Sequence, residues 1–501
     1  MSPAGRVATG PAAMSPAAMS PAAMDDVVAA YRAALPGEVE ETDLSAFDRT
    51  GAAVRTVALL ISPGGNGVGY GPDTEAARTS AYGELVEWTR SHAVLSRSVP
   101  REASYAALLA TGEPVQDPRT LCLEAGSDYD EDRPLRWLQA QRLRDDAPVW
   151  VPVELLASRP VDLAPGPRLT TVITNGLGAG LDLDRALSHA LLELLQRDGN
   201  GLVFRALDRG VVVDLAGLQD RAALDALARL RAAGVEPVVK LASTELGLAN
   251  VYAVGVDPAP DEAISATACG EACHPDREVA VRKALLELCS SRARKAFAHG
   301  SLDRVRALAG AGYLDRYLAT LPAGAVVREE PRALQSMARW LALPAGELAA
   351  LLRDSVLAQR STVALRDLPT TTGLATTTAL RDDVVSRLHG ADLDVLVLDL
   401  SGDGVHVAKA VVPGLEVETM SYGRIGERGV RRALDLGLPF VRVGADPGGW
   451  SQVHLTEAAR EGLGGPAWLD RAAVEAAVGA LYPLYREPAR HLAQLSLAGA
   501  P

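Results

Sequence analysis

The stretch that decides the fold is one that the chain repeats three times. Residues 73–87 read DTEAARTSAYGELVE, residues 182–198 read DLDRALSHALLELLQRD, and residues 276–292 read DREVAVRKALLELCSSR. Each copy begins with Asp, has Ala four and eight positions later, and has Glu three positions after the second Ala. A polar residue or a second Glu follows after three more positions. Internal repetition of this kind indicates one structural unit that is used three times.

Each copy has the pattern of a helix start. An Asp side chain accepts hydrogen bonds from the free N–H groups of a first helical turn, and an acidic residue two positions later favours the positive end of the helix dipole. The two Ala residues, the Glu and the last polar residue then share one face. We therefore predict three helices, each with a stripe of small residues for close packing and a carboxylate on that stripe.

Two interpretations of the repeated carboxylates stay open at this point. In the first, three similar amphipathic helices expose their Glu side chains to solvent at the edge of the stripe. In the second, the side chains converge on one site, which would contain Glu84, Glu87, Glu193 and Glu287. Gathered carboxylates repel each other unless cations neutralise them, and Mg²⁺ bound through carboxylates and phosphates is the usual solution.

Length and composition limit the class of protein. The 501 residues are enough for two or three domains or for one large elaborated domain. The net charge of −13 argues against a nucleic-acid partner or an anionic membrane surface. No apolar run reaches the length of a membrane span, and four Cys residues do not describe a disulfide scaffold. We expect a cytoplasmic protein with neither nucleic acid nor membrane as a partner.

The pattern along the chain divides it into segments. Residues 1–24 contain Met-Ser-Pro-Ala three times and are interpreted as a disordered low-complexity tail, with Met24 or a neighbouring Met as an alternative start. Residues 25–450 form the predicted main domain, in which residues 301–378 are interpreted as a helical insertion and linker. Residues 451–501 are predicted to be a mostly helical C-terminal extension.

Apolar, β-branched runs predict strands at residues 54–62 and 170–174, each followed by a Gly-rich turn and a repeated helix. The turn at residues 63–69 can bring backbone N–H groups to a phosphate. The motif is weak, however, because it has neither the Walker Lys-Ser/Thr pair nor a G-x-G-x-x-G register.

Two further segments have the pattern of antiparallel hairpins. They cover residues 235–255 and 393–412, and helices are predicted before them at residues 221–233 and 380–389. Hairpins packed by helices favour an α+β fold with antiparallel and mixed sheets and internal repetition. They argue against a Rossmann arrangement.

With these motifs in order, the chain resembles the YcaO-domain family, an ATP-using superfamily that modifies peptide backbone amides. The family's first signature is a Gly-Lys-Gly turn followed by Ser-Ala-x-x-Glu-x-x-Glu-Arg, and residues 65–67 and 80–88 match it. The second signature is Asn-Gly-x-x-x-Gly followed by His-Ala-Leu-x-Glu-x-x-Glu-Arg-Asp, and residues 175–180 and 189–198 match it.

Two more signatures extend the resemblance, which covers residues 54 to about 430. The third is His-x-Asp/Pro followed by Ala-Leu-x-Glu-x-x-Gln-x-Arg, matched by residues 274–276 and 284–292. The fourth is matched by Val-Pro-Gly-Leu-Glu at 412–416 and Gly-Glu-Arg at 426–428. The resemblance implies a YcaO-type fold in which acidic helices form a site for ATP and Mg²⁺.

The resemblance also implies a reaction, namely activation of a backbone amide oxygen by phosphorylation. A Cys, Ser or Thr side chain then closes an azoline ring, as in thiazole- and oxazole-modified peptides, and we rank this product on a ribosomally made precursor peptide first. The alternative products are a thioamide or a macroamidine. Catalysis of phosphoryl transfer is mainly positioning and neutralisation of charge, which Mg²⁺ and Arg side chains supply.

Carried over residue by residue, the resemblance assigns roles to individual side chains. The metal ligands would be Glu84, Glu87, Glu193 and Gln196. The catalytic candidates are Glu84, Glu193, Arg197 and Arg292. The nucleotide-binding candidates are Ser80, Asn175, His189, Gln196, Arg197, Glu287, Arg292 and Arg428.

The chain departs from the family pattern at four motif positions, where it has Asn66, Trp88, Gln196 and Ser290. Because Gln adds no charge, one metal position is expected to be weaker. The departures leave an alternative of another class, a non-catalytic scaffold that binds the peptide or a catalytic YcaO partner. Retention of the repeated Glu and Arg residues together favours an active enzyme.

The choice of partner and product depends on what accompanies the motifs. The chain ends without the Pro-x-Pro-x-Pro tail of many azoline-forming members, and it shows no fused adenylating-enzyme-like domain. We therefore expect a separate leader-peptide-binding or E1-like partner, and a homodimer stays open. Cys269, Cys273 and His274 do not have zinc-finger spacing, so no zinc site is predicted.

Overall fold

Residues 21–61, 65–166, 168–203, 205–321, 324–418 and 420–499 are described by a computed structural model of the chain. The strands of these residues are β1 (Val39–Asp43), β2 (Val54–Leu59), β3 (Asn66–Tyr70), β4 (Arg101–Ser104), β5 (Pro134–Arg142), β6 (Pro148–Pro152), β7 (Leu177–Gly180), β8 (Val211–Asp214), β9 (Glu236–Ser243), β10 (Ala249–Val256), β11 (Cys269–His274), β12 (Ser361–Ala364), β13 (Leu396–Asp399), β14 (His406–Val411), β15 (Val441–Val443), β16 (Ser451–Gln452) and β17 (Ala467–Leu469).

The helices are α1 (Pro21–Ala33), α2 (Thr74–Leu95), α3 (Tyr105–Leu109), α4 (Val153–Leu156), α5 (Leu183–Asn200), α6 (Arg221–Ala232), α7 (Arg277–His299), α8 (Leu302–Leu308), α9 (Tyr313–Thr320), α10 (Ala325–Arg328), α11 (Pro331–Leu341), α12 (Ala345–Leu352), α13 (Thr377–Gly390), α14 (Glu427–Asp435), α15 (Glu457–Leu463), α16 (Arg471–Val478) and α17 (Leu492–Leu497).

The strands form four sheets within the described ranges. Their orders are β1-β2-β3, then β11-β10-β9-β8-β12, then β4-β5-β13-β14-β7 with β6 beside β5, and finally β15-β17-β16. Pairing is antiparallel except between β12 and β8, which run parallel. The fold is therefore α+β with antiparallel and mixed sheets packed by helices, as the sequence predicted.

The three repeated segments form helices α2, α5 and α7, and all three begin as predicted. Asp73, Asp182 and Asp276 are the N-cap residues, and each side-chain oxygen accepts a hydrogen bond from a backbone N–H of the first turn. Each helix follows a strand at the edge of a different sheet, namely β3, β7 and β11. The repeated unit is thus an edge strand followed by a helix.

Glycine and alanine bring each helix unusually close to its strand. A Cβ atom on Gly69 of β3 would lie 2.0 Å from the carbonyl oxygen of Ala77, and one on Gly178 of β7 would lie 2.0 Å from that of Ala186. Because real Cβ atoms do not approach backbone this closely, only Gly is compatible with this packing. The predicted stripe of Ala residues is therefore the surface on which the strand glycines rest.

The three units close into a ring. Besides its own strand, α2 contacts β7, α5 contacts β11, and α7 contacts β3. Each helix therefore packs on its own edge strand and on the edge strand of the next unit. This arrangement turns the carboxylate-bearing faces of all three helices toward one central cleft.

Both predicted hairpins are present with the helices that were expected before them. β9 pairs with β10, and β13 pairs with β14, both antiparallel. α6 precedes the first hairpin and α13 the second. Helix α6 packs with α7 in a core of small and aliphatic residues against β8 to β11.

The strand predicted at residues 170–174 is wrong, because the strand of this region is β7. Side chains, not a neighbouring strand, bind the backbone of the predicted segment. Glu154 accepts hydrogen bonds from the N–H groups of Leu169 and Thr170, and Lys409 donates to the carbonyl of Ile173. The glycines of β7 allow the close approach of α5, so packing overrides the β-branched composition of residues 170–174.

The Gly-rich turn at residues 63–69 also differs from the prediction. Residues 62–64 lie outside the described residues, whereas Asn66–Tyr70 is strand β3, paired with β2. Gly67 and Gly69 serve close packing on α2, and the Val68 N–H donates to Glu84. The described part of this segment is therefore not a phosphate-binding loop.

The terminal segments depart from prediction in part. Residues 1–20 of the predicted tail lie outside the described residues, but α1 begins at Pro21 and Met24 is only 4% exposed. Residues 451–501 contain α15 to α17, as expected, and also β16 and β17, which pair in a small sheet. Strand β12 within residues 301–378 belongs to the sheet of β8. The division into domains stays a prediction.

Every helix in the described part of the chain is too short or too polar to cross a membrane.

Candidate functional site

The central cleft is lined by the same three positions of each repeated helix. These positions lie four and three residues apart, so they share one face. They are occupied by Ser80, Glu84 and Glu87 on α2, by His189, Glu193 and Gln196 on α5, and by Lys283, Glu287 and Ser290 on α7.

The first Glu of every copy is anchored to a backbone N–H of the preceding strand segment. The Val68 N–H donates to Glu84 Oε2 at 2.8 Å, and the Gly176 N–H donates to Glu193 Oε2 at 3.0 Å. In the third copy, the Glu271 N–H donates to Glu287 Oε2 at 3.1 Å. Each carboxylate is therefore fixed through Oε2, and Oε1 of Glu193 lies 3.7 Å from Arg197 Nη2.

Glu87 links the first unit to the second. The backbone of Ala179 on β7 lowers the pKa of Glu87 against the larger effect of burial. Burial raises the pKa of Glu87 well above its usual value, and the neighbouring carboxylates of Glu193 and Glu84 raise it further. Burial also raises the pKa of Glu84, to which the charge of Glu193 adds. The structure thus brings Glu84, Glu87 and Glu193 together, and their mutual repulsion favours a bound cation.

Glu287 lies where the third unit meets the first. The Tyr70 hydroxyl of β3 donates to Glu287 Oε2 at 3.3 Å. Burial raises the pKa of Glu287, and the carboxylate of Glu271 raises it further. Glu287, a predicted nucleotide-binding residue, therefore faces the same cleft.

Basic side chains flank the carboxylates. Arg185, His189 and Lys283 make no side-chain hydrogen bond or ion pair with any described residue. Desolvation lowers the pKa of His189, and the nearby charges of Lys283 and Arg185 lower it further. Desolvation and the charge of Arg185 likewise lower the pKa of Lys283. An anion would stabilise the charged forms of Arg185 and Lys283, which lie beside a neutral His189.

Arg294 is a second cationic element of the cleft. Its side chain is exposed, and its charge lowers the pKa values of both Glu84 and Glu287 against the larger effect of burial. The sequence resemblance instead gave Arg292 as the nucleotide-binding Arg of this helix. Arg292 lies five positions after Glu287, a rotation of about 140° around the helix, whereas Arg294 lies seven positions after it and shares its face. The helical register alone could have identified Arg294 and Lys283.

Arg292 and Arg428 are placed elsewhere by the structure. Arg292 is 1% exposed and bonds Asp48 at 2.9 Å and Asp257 at 2.7 Å. Arg428 bonds Asp198 at 2.8 Å and Glu245 at 2.6 Å. Both side chains therefore form ion pairs within this chain, and their predicted phosphate contacts stay predictions.

Arg197 belongs to a buried network that sequence analysis missed. Its Nη1 lies 2.7 Å from Glu271 and 3.0 Å from Glu418, and Arg205 bonds both carboxylates as well. Burial opposes the charged forms, but Arg205 and Arg197 lower the pKa of Glu271 below its usual value. No motif marks Glu271, Glu418 or Arg205, because their partners are distant in sequence.

The departure at Gln196 has a physical reason in this network. Gln196 Nε2 donates to Glu271 Oε2 at 3.2 Å. A Glu at this position would place a second carboxylate against Glu271. The neutral amide therefore fits its neighbour, although it adds no charge for a metal. The departure at Ser290 leaves a small buried side chain.

Asn175 and Lys409 complete the cleft on the side of β7. Lys409 is 1% exposed, and its Nζ donates to the carbonyl oxygen of Asn175 at 2.7 Å. Burial lowers the pKa of Lys409 to about 8, against the opposing charges of Glu193 and Glu87. Lys409 is a functional candidate that no motif of the sequence analysis contained.

Within the described residues, no three His, Cys, Asp or Glu side chains are arranged to hold a metal ion by themselves. A divalent cation at Glu84, Glu87 and Glu193 would therefore take further ligands from a bound molecule, and phosphate oxygens suit Mg²⁺. Repelling carboxylates, beside basic side chains that have no ion-pair partner in the described part of the chain, fit a nucleotide with its metal. The residues present thus match the group that the sequence resemblance implied.

Comparison with known proteins agrees with this fit. A family model described as YcaO cyclodehydratase, ATP- and Mg²⁺-binding, matches residues 68–416. An uncharacterized protein of Methanothermobacter thermautotrophicus is 29% identical over 322 residues, which cover 62% of this chain and 73% of that protein.

Solved structures show the same fold. A heterocyclase in complex with substrate and cofactor matches with a TM-score of 0.59 at 17% identity, over 83% of this chain and 55% of the other. YcaO from Methanopyrus kandleri, bound with AMPPCP and Mg²⁺, matches with a TM-score of 0.54 at 20% identity, over 81% of this chain and 94% of the other. The chain thus spans about half the length of the heterocyclase.

Proposed function

Because this chain belongs to the YcaO family, we propose that it is an enzyme that binds ATP and Mg²⁺ in the cleft between α2, α5 and α7 and modifies a backbone amide of a ribosomally made peptide. One observation carries the proposal: the cleft gathers Glu84, Glu87 and Glu193 beside the basic side chains of Arg185 and Lys283, which have no ion-pair partner among the described residues. A polyanion with a divalent cation neutralises both groups. The ligands named for the M. kandleri YcaO structure support it.

The residues of this chain divide between metal and nucleotide. Mg²⁺ would be held by Glu84, Glu87 and Glu193, with the carbonyl oxygen of Gln196 as a further ligand. Phosphates and ribose would be held by Ser80, Asn175, Arg185, His189, Arg197, Lys283, Glu287 and Arg294. Arg197 stays charged in the buried network with Glu271 and Glu418, so it is positioned before a nucleotide arrives.

We propose azoline formation on a Cys, Ser or Thr residue of a precursor peptide as the reaction. When bound, ATP supplies the phosphoryl group that makes the amide oxygen a leaving group, and Mg²⁺ neutralises phosphate charge. The protein's part is to orient the peptide amide and to exclude water. A leader-peptide-binding or E1-like protein is the partner that we expect, and the heterocyclase structure with substrate and cofactor supports a substrate site in this fold.

Calorimetric titration with Mg-ATP tests the nucleotide site. Glu84→Gln and Glu193→Gln each remove one charge from the cleft and should weaken binding roughly 30- to 150-fold, since a charged contact contributes about 2–3 kcal/mol. Glu347→Gln on α12 is the matched control, because this exposed side chain has no ion-pair partner among the described residues. Binding equal to wild type in both cleft variants would overturn the site.

Mass spectrometry of a co-expressed precursor peptide tests the reaction. Loss of one water per modified residue indicates an azoline, whereas exchange of oxygen for sulfur indicates a thioamide. Absence of Mg-ATP binding by the wild-type protein, with its peptide and partner present, would overturn the enzyme and leave a non-catalytic scaffold.

A further inference from the structure

Two of the cleft carboxylates, Glu193 and Glu84, each accept a hydrogen bond from a peptide N–H. The carbonyl oxygen of the same peptide group accepts a hydrogen bond from a buried polar side chain. Lys409 Nζ donates to the carbonyl oxygen of Asn175 at 2.7 Å. The N–H of the same peptide group, on Gly176, donates to Glu193 Oε2 at 3.0 Å. A single peptide group therefore connects the Lys409 ammonium to the Glu193 carboxylate.

The first repeat has a longer chain of the same kind. Arg490 Nη2 donates to Thr56 Oγ1 at 3.1 Å, and Thr56 Oγ1 donates to the carbonyl oxygen of Gly67 at 3.0 Å. The N–H of that peptide group, on Val68, donates to Glu84 Oε2 at 2.8 Å. A cation is thus linked to Glu84 through one hydroxyl and one peptide group.

The third repeat does not use a side-chain cation in this way. The Glu271 N–H points to Glu287, and the planar trans peptide directs the Gly270 carbonyl toward the neighbouring strand β10. In the third repeat, strand β10 therefore lies where Lys409 or Thr56 lies in the other two repeats. We name the two hydrogen-bond chains, from Lys409 to Glu193 and from Arg490 to Glu84, relays. They belong to the two repeats whose carboxylates lie together with Glu87.

Polarisation along these chains has a direct physical consequence. A hydrogen bond to a peptide carbonyl strengthens the hydrogen bond that the N–H of the same peptide donates. Thr56 and Lys409 are each 1% exposed, so water does not compete for these contacts. The carboxylates are consequently held in one orientation, with the repulsion between them partly compensated before a cation binds.

We propose that Lys409, Thr56 and Arg490 are positioning residues that set the Mg²⁺ affinity of Glu193 and Glu84. This inference rests on the proposed function of the cleft. Thr56 and Arg490 lie outside the residues 68–416 that the family model matches. Partners behind a metal ligand fix its orientation, and their loss typically reduces metal affinity about 10- to 100-fold.

Matched threonine substitutions separate the relay from general packing. Thr56→Val removes the hydroxyl at nearly constant volume, and Thr56→Ser keeps it. Thr79→Val is the control, because Thr79 on α2 is also buried and its Oγ1 has no hydrogen-bond partner among the described residues. The measurement is the Mg²⁺ concentration that half-saturates ATP binding, compared with ATP binding in excess chelator.

We expect Thr56→Val and Lys409→Met to raise the half-saturating Mg²⁺ concentration about 10- to 100-fold. Thr56→Ser and Thr79→Val should stay near the wild-type value, and ATP binding in chelator should not change. In a double variant, Arg490→Met should add little to the effect of Thr56→Val on the half-saturating Mg²⁺ concentration, because both changes interrupt the same series of hydrogen bonds. The effect of Lys409→Met should add fully to that of Thr56→Val.

The outcomes distinguish the two proposals. A Thr56→Val protein that behaves like Thr79→Val, while the wild type binds Mg-ATP, overturns the relay alone. An equal loss of ATP binding with and without Mg²⁺ also overturns it, since that result indicates a structural role. A wild-type protein that does not bind Mg-ATP overturns the relay together with the proposed function.

Discussion

Gly270 of β11 lies so close to α7 that a Cβ atom on it would be 2.0 Å from the carbonyl oxygen of Ala284. The same atom would be 2.2 Å from the backbone N of Leu288. This contact seats the third repeated helix on its strand and sets the depth at which Glu287 enters the cleft. The equivalent glycines of the first two units are equally close to their helices, so the ring depends on all three.

Gly270→Ala should therefore destabilise the protein by about 3 kcal/mol or more, because the methyl group meets backbone that cannot move independently. Gly346→Ala on α12 is the control, since a Cβ atom there would contact nothing within 4 Å. Replacement of Gly by Ala at such a helical position should stabilise by about 0.5–1 kcal/mol. Urea unfolding measures both, and equal stabilities would refute the close packing.

The buried pair of Lys240 and Asp208 should depend on both partners. Lys240 is 0% exposed, lies 2.5 Å from Asp208 and donates to the carbonyl of Val356 at 2.9 Å. Asp208→Asn leaves an uncompensated buried ammonium and should cost about 3–5 kcal/mol, whereas the double change Lys240→Met with Asp208→Leu should recover most of this loss.

A surface pair provides the comparison for that experiment. Arg221 and Asp225 are 3.2 Å apart with largely exposed side chains. Asp225→Asn should change the free energy of unfolding by less than about 0.5 kcal/mol. A double-mutant cycle in which the Lys240 and Asp208 changes simply add would show that the buried pair is not coupled.

Glu487 should give stability a dependence on acid pH. It contacts Lys295 at 2.6 Å and His299 at 3.2 Å. Burial opposes its ionisation, yet Lys295 and His299 hold the pKa of Glu487 well below the usual 4.5. A depressed folded pKa contributes stability that is present above the unfolded pKa and is lost as the pH falls through the folded pKa.

Glu487→Gln should consequently destabilise by about 2 kcal/mol at neutral pH, and this difference should shrink as the pH falls below 4.5. Thermal unfolding across the acid range measures it. Glu347→Gln serves again as the control and should show no such trend. A difference between wild type and Glu487→Gln that is constant with pH would contradict the assigned ion pairs.

Gln196→Glu tests whether the departure from the family pattern suits this chain. The change restores the family residue but sets a carboxylate against Glu271, so it should destabilise by about 1–3 kcal/mol and should not improve Mg-ATP binding. Addition of Glu271→Gln should relieve the repulsion between the two side chains. Unfolding and calorimetry of the single and double variants check this, and a stabilised Gln196→Glu protein would show the interpretation to be wrong.

Local patterns accounted for the elements that build the ring. The Asp N-caps, the Ala stripes and the two hairpins depend on residues close together in sequence, and the structure has them where they were predicted. Arg294 and Lys283 were within reach of the same reasoning, because the helical register alone places them on the faces of Glu287. Arg292 has the motif but not that register, and it bonds Asp48 and Asp257.

What the sequence by itself determined, then, is the set of three capped helices with a carboxylate on each small-residue stripe. The tertiary structure alone decided that β7 replaces the strand predicted at residues 170–174 and that Arg197 pairs with Glu271. It also decided that Lys409 is linked to Glu193 through one peptide group. The physical reason is distance along the chain. Caps and stripes form within a few residues, whereas buried charges take whichever partner the fold presents, as Arg490 takes Thr56 from 434 positions away.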